Sequence, residues 1–166
     1  MRTDKIFFVG FMGAGKSTVA AALGAHLGWR VEDLDDRIEA REGHSVADIF
    51  ARHGEQRFRA AEQAVLQDIL PVRHVVVATG GGTFVDPMNR MVINRSGASI
   101  WLDVSFDTVI ARLPTDGRRP LAKNHTSMQS LFNTRRTAYQ HAHLRLDANR
   151  APAAELVERI VDWLGA

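Results

Sequence analysis

Gly10-Phe11-Met12-Gly13-Ala14-Gly15-Lys16-Ser17 follows the apolar run Ile6-Phe7-Phe8-Val9 and leads into a helix-forming stretch from Lys16 to Leu27. The octapeptide fits G-x-x-x-x-G-K-[ST], a phosphate-binding loop. Its glycines let backbone N–H groups turn inward around a phosphate, and the helix behind them adds the partial positive charge of its N-terminus. In such a loop Lys16 reaches the β- and γ-phosphates of a nucleotide, and the Ser17 hydroxyl ligates Mg²⁺. The motif also sits where the mechanism needs it, after a buried strand and before a helix.

Outward from this loop, apolar runs and helical patterns alternate. Strands are expected at Ile6–Val9, Arg30–Asp33, Val75–Ala78 and Ser99–Asp103, with a short last one at Leu144–Leu146. Helices are expected at Lys16–Leu27, Asp35–Glu42, Val46–Arg52 (capped by Ser45), Glu55–Leu70 after Gly54, Phe106–Leu113, Thr126–His143 and from Pro152 through Trp163. Residues 114–126 carry proline, glycine and charge without periodicity and read as a long loop. Strand–helix alternation predicts an α/β protein whose parallel sheet is covered on both faces. No repeat or linker divides the chain, so residues 1–166 are expected to form one domain.

Composition excludes several classes. Of 166 residues, 45% are hydrophobic and 24% charged, the mixture of an ordinary globular domain and not of a disordered or fibrous chain. The chain has no cysteine, which removes disulfides, thiolate metal sites and a cysteine nucleophile. No run of 18 apolar residues occurs and the N-terminus does not read as a signal peptide, so a cytoplasmic protein without membrane contact is expected. The net charge of +2 is too small to argue for nucleic acid. Positive charge does gather at Arg112, Arg118, Arg119, Lys123, Arg135 and Arg136, opposed only by Asp116. Most of it is arginine, suited to bidentate contact with carboxylate or phosphate.

Three further places carry chemistry. Asp33-Leu34-Asp35 closes the second strand; in a parallel sheet that end opens on the same crevice as the phosphate loop. Its carboxylates can bind Mg²⁺ through water and orient or deprotonate a hydroxyl. Thr79-Gly80-Gly81-Gly82 ends the third strand, and three glycines permit close approach by a ligand. Arg59 lies on the helix between those strands. His141-x-His143 does not share a helix face and is not expected to bind metal. Trp29, Trp101 and Trp163 are too dispersed to form a stacking platform.

Taken together, the phosphate loop, Asp33-Leu34-Asp35, Ser45–Phe50, Gly54–Arg59 with Glu62, the triple glycine, Arg119-Pro120-Leu121 and Arg135-x-x-x-Tyr139 resemble, in order and spacing, the shikimate kinase family. The resemblance spans nearly the whole chain. It implies a P-loop three-layer αβα fold with a five-stranded parallel sheet in order 2-3-1-4-5 and a lid at about 114–126. It implies transfer of the ATP γ-phosphate to the 3-hydroxyl of shikimate, on the route to aromatic amino acids, with Mg²⁺ as cofactor. Lys16, Asp35 and Arg119 would be catalytic. Gly13, Ala14, Gly15, Lys16, Ser17, Thr18, Arg112, Arg119 and Pro152 would bind ATP. Asp35, Arg59, Gly80, Gly81, Gly82 and Arg135 would bind shikimate, and Ser17 with Asp33 the metal. Expected partners are these small molecules alone, with the protein a monomer.

The chain departs from the family pattern at three places. Thr137 stands where proline is usual, which leaves Arg136 as a rival to Arg135. Glu32 interrupts an apolar strand, and the lid has two adjacent arginines. Other readings are a kinase of another hydroxy acid such as gluconate, a nucleotide kinase, or a nucleotide-binding regulatory module.

Overall fold

Short runs of β-branched and aromatic residues become the strands of one parallel sheet in the computed structural model, which describes residues 2–113 and 125–166. The strands are β1 (Lys5–Val9), β2 (Arg30–Asp33), β3 (Val75–Ala78), β4 (Ala98–Asp103) and β5 (Leu144–Asp147). Their order across the sheet is β2-β3-β1-β4-β5, and every pairing is parallel. Every residue of β1, β3 and β4 is buried, as a sheet with both faces covered requires. The outer strands are more polar. Glu32, out of place in a buried strand, lies on the edge strand β2, within 2.8 Å of Arg30 and 3.7 Å of Arg37.

Helix α1 (Lys16–Leu27) packs against β3 and the C-terminal helix α7 (Ala153–Leu164). Between β2 and β3 run α2 (Leu34–Glu42) and α3 (Val46–Ile69), packed on each other. Helix α4 (Pro87–Ser96) lies against β4, which leads to α5 (Phe106–Arg112); α6 (His125–Tyr139) precedes β5. Register fixes the working edge. Phe8 pairs with Ala78, and Ala78 with Asp33, so β1, β3 and β2 end level with one another. The phosphate loop, the start of α2 and the Thr79–Gly82 segment therefore open side by side, where ligands bind in open α/β sheets.

Several elements differ from the sequence reading. Helix α4 was not expected, although Asp86-Pro87 is a good start signal. The Asp86 carboxylate accepts from the amides of Met88 (2.8 Å) and Asn89 (3.0 Å), with proline in the first turn. The two helices expected around Gly54 run on as α3 with a kink there, because Gly54 takes φ 82° and ψ 173°. Helix α6 stops at Tyr139 and does not reach His143. His143 is drawn to the sheet instead: its Nδ1 accepts from the Ser99 amide at 3.1 Å and its own amide donates to the Ser99 hydroxyl at 3.0 Å. The expected lid, 114–126, with Arg118, Arg119, Pro120 and Lys123, lies outside the described residues except for His125 and Thr126, which open α6.

Candidate active site

The phosphate-loop half is built from backbone. Gly13 and Gly15 have φ of 77° and 95°, a left-handed conformation that side chains resist. Gly10 has a second constraint, since a Cβ there would meet the Leu102 carbonyl of β4 at 2.8 Å. Lys16, at the start of α1 and 9% exposed, folds over this loop and donates from Nζ to the carbonyls of Gly10 and Phe11. Ser17 and Thr18 are exposed beside it. Arg112 braces the loop from the side: its guanidinium donates to the carbonyls of Gly13 (3.2 Å), Ala14 (3.4 Å), Ala148 (3.2 Å) and Asn149 (3.1 Å). The phosphate loop is thereby tied to the segment leading into α7, where Pro152 occupies the exposed cap position. A cleft of about 550 Å³ opens next to that tie, lined by Thr108, Asn149 and Ala151 among others.

Asp33 and Asp35 part company. Asp33 caps α2 by accepting from the Asp36 amide at 3.2 Å, and its other oxygen accepts from the Ser17 hydroxyl at 2.8 Å. Burial, aided by the negative charge of Asp33, raises the Asp36 carboxyl above the usual carboxylate range. Ser17 and Asp33 are hard oxygen donors set within hydrogen-bond reach at a place of concentrated negative charge, and they fit a Mg²⁺ ion completed by water and phosphate. No cluster of three or more histidine, aspartate or glutamate side chains suited to a metal occurs among the described residues.

Asp35 turns instead to the triple glycine. A Cβ on Gly80 would lie 3.1 Å from Asp35 Oδ1, one on Gly81 2.9 Å from Arg135 Nη1, and one on Gly82 only 2.4 Å from Arg59 Nη2. Each glycine thus makes room for a different side chain, and the three side chains come from α2, α6 and α3. Arg135 is 6% exposed, its guanidinium 5.8 Å from the ring centre of Phe11 in the phosphate loop. Burial chiefly, and the positive charge of Arg59 in addition, hold it below the usual guanidinium value. Arg136 faces away, donating to Asp103 and lying 5.0 Å above the ring of Trp101. Thr137 is exposed, on neither arginine's side of the helix.

Two partners of this half went without a role in the sequence reading. Glu62 is fully buried; it accepts from Arg59 Nη1 at 3.1 and 3.2 Å and from the Thr83 hydroxyl at 2.7 Å. Its spacing from Arg59, three residues along a helix, was the available signal. Tyr139 is equally buried and donates from its hydroxyl to the Gly81 carbonyl.

The family model for shikimate kinase matches residues 12–165. The chain belongs to the shikimate kinase family. It is 38% identical over 157 residues to a shikimate kinase of a Sulfurihydrogenibium species, covering 94% of this chain and 95% of the relative. It is 42% identical over 162 residues to that of Chromobacterium violaceum, covering 95% and 88%. The solved shikimate kinase of Acinetobacter baumannii, in complex with shikimate, superposes with a TM-score of 0.91 at 31% identity, over 98% of this chain and 93% of that one. Solved sugar, gluconate and deoxyadenosine kinases share the fold at TM-scores of 0.58–0.65 and 17–19% identity, a likeness of architecture alone.

Proposed function

We propose that the chain transfers the γ-phosphoryl group of ATP to the 3-hydroxyl of shikimate, giving shikimate 3-phosphate and ADP. One observation carries this reading: Arg59 and Arg135, from different helices, converge on adjacent glycines with Asp35 beside them. Bringing two guanidinium groups together is electrostatically costly; Glu62 offsets part of that cost at Arg59, and an anionic acceptor offsets more. Two forked donors suit a carboxylate, which shikimate has. Arg136, engaged by Asp103 and Trp101, is poorly placed to compete for it. A nucleotide-binding module without turnover would need none of Asp35, Arg59 and Arg135.

Phosphoryl transfer asks the protein mainly for position and charge. The phosphate loop holds the triphosphate through backbone amides, and Lys16 leaves the Gly10 and Phe11 carbonyls to meet the β- and γ-phosphates. Arg112 keeps its edges on the backbone, leaving a planar face for the adenine opposite Pro152. Ser17 and, by way of water, Asp33 would hold a Mg²⁺ ion, which would supply charge neutralisation on the phosphates. Arg59 and Arg135 fix the carboxylate, which turns the acceptor hydroxyl toward Asp35. An ordinary aspartate is a weak base at neutral pH, so Asp35 orients the hydroxyl first and takes its proton late. The acceptor oxygen forms its bond to the γ-phosphorus as the bond to the ADP oxygen breaks.

An ADP-coupled assay with ATP and shikimate, run beside gluconate and nucleoside monophosphates, tests the reading. Shikimate should be turned over at least about 100-fold more efficiently than any control, since gluconate and the nucleotides bring an anion to the arginines without the ring that sets a hydroxyl at Asp35. Turnover of gluconate or a nucleotide in preference to shikimate would reassign the acceptor.

A further inference from the structure

The triple glycine lines the acceptor pocket with the least restrained backbone a protein can offer. Something must hold it still. Among the described bonds, the Gly80 carbonyl accepts from the Thr83 amide at 3.2 Å and the Gly82 carbonyl from the Val85 amide at 3.2 Å, both within one local turn. The Gly81 carbonyl is held from outside that turn, by the hydroxyl of Tyr139. Gly81 is also confined on the acceptor side, between Arg135 Nη1 and the Met12 amide of the phosphate loop, 2.9 and 3.5 Å from a Cβ built there.

Tyr139 is the one tyrosine in the chain and lies one helical turn beyond Arg135. It is 1% exposed, and its ring packs on Trp101 with centres 5.9 Å apart. Phenylalanine would fill that space as well; only the hydroxyl needs tyrosine. Burial pushes the phenol well above its usual value, outweighing the positive charge and hydrogen bond of Arg135 and the charge of Arg59, so it stays a protonated donor across the working range of pH.

We propose that Tyr139 is a positioning residue that sets the pocket's preference for an anionic acceptor. Its hydroxyl, fixed on the Gly81 carbonyl, locks the glycine segment against the Arg135 guanidinium, so the fork meets the carboxylate in one orientation. Without that bond Gly81 can turn, and Arg135 loses the wall it lies against. The inference rests on the shikimate reading above.

The test is Tyr139→Phe in the full chain, with shikimate and its neutral methyl ester as acceptors. For shikimate the variant should show a KM raised about 10-fold, the loss of one hydrogen bond beside a charge. The shikimate kcat should stay within about 3-fold and the ATP KM within about 2-fold. The preference for acid over ester should fall by the same 10-fold. A merely structural role would lower turnover of acid and ester together and leave their ratio unchanged, and that result overturns the inference. A wild-type enzyme without activity on shikimate would instead overturn the functional reading. One that treats acid and ester alike would remove the carboxylate grip, and this inference with it. A second readout needs no substitution. Chain grown with 3-fluorotyrosine carries its label at position 139 alone, and its ¹⁹F resonance should move on saturation with shikimate but not with the methyl ester. A resonance that ignores shikimate, or that moves equally with both, is the contrary result.

Discussion

The two halves of the site are made differently. Around the phosphate loop, where we place the nucleotide, one contiguous stretch, Gly10–Ser17, supplies backbone amides and a lysine, and Arg112 ties it down. Around the triple glycine, where we place the acceptor, Asp35, Arg59 and Arg135 arrive from three helices; Glu62 holds Arg59, and Tyr139 holds the Gly81 carbonyl. A phosphate is the same in every nucleotide, so a backbone cradle suffices. An acceptor must be told from its relatives, which takes side chains whose positions depend on the rest of the fold.

If the division holds, substitutions in the first half should end turnover with any acceptor, and those in the second should change which acceptor is used. Lys16→Ala removes the positive charge from the transferring group and should lower kcat by about 1,000-fold or more with shikimate and every other acceptor, measured in the coupled assay on folded protein. Asp35→Asn straddles the boundary. It should reduce kcat by about 100-fold to 10,000-fold while calorimetry shows ATP binding unchanged. Loss of ATP binding in that variant would move Asp35 to the nucleotide half.

Within the acceptor half, neighbouring arginines separate grip from support. Arg135→Ala should raise the shikimate KM about 100-fold with ATP affinity nearly constant, the loss of a charge-assisted fork. Arg136→Ala should leave that KM within about 3-fold and show itself mainly as a lower Tm, since it breaks contacts to Asp103 and Trp101. The reverse pattern would exchange their roles. Glu62→Gln keeps the shape but leaves Arg59 with a weaker partner and should raise the shikimate KM about 10-fold. The smallest effect concerns pH. Tyr139 has a folded-state value raised above its unfolded value near 10, so the stability it contributes is present below about pH 10 and is lost as pH rises toward the folded value. Wild-type stability should therefore decline above pH 10 by up to about 1.4 kcal/mol per unit beyond the decline of Tyr139→Phe, read by denaturant unfolding across pH.

The same division explains what could be read from the chain beforehand. Periodicity and glycine placement located all five strands, and the motif located the phosphate loop, because each is written in adjacent residues. The end of α6 was misplaced because the competitor was distant: Ser99, more than forty residues away, draws His143 onto β4. Helix α4 is announced by Asp86 and Pro87, but its apolar residues do not mark its buried face: Met88 and Met91 are exposed, while Asn89 and Ile93 are buried. The choice between Arg135 and Arg136 was out of reach, because adjacent helical residues differ only in which surface they meet. Asp103 and Trp101 on one side, Phe11 and Gly81 on the other, are brought there by the fold.

A crystal structure with shikimate and a non-hydrolysable ATP analogue would test the central claim most directly. The shikimate carboxylate should lie between the guanidinium groups of Arg59 and Arg135, with N···O distances of about 2.7–2.9 Å. The 3-hydroxyl should lie within hydrogen-bond reach of Asp35 and point at the γ-phosphate. A carboxylate seated on Arg136, or a hydroxyl turned away from Asp35, would contradict the proposed division of the site.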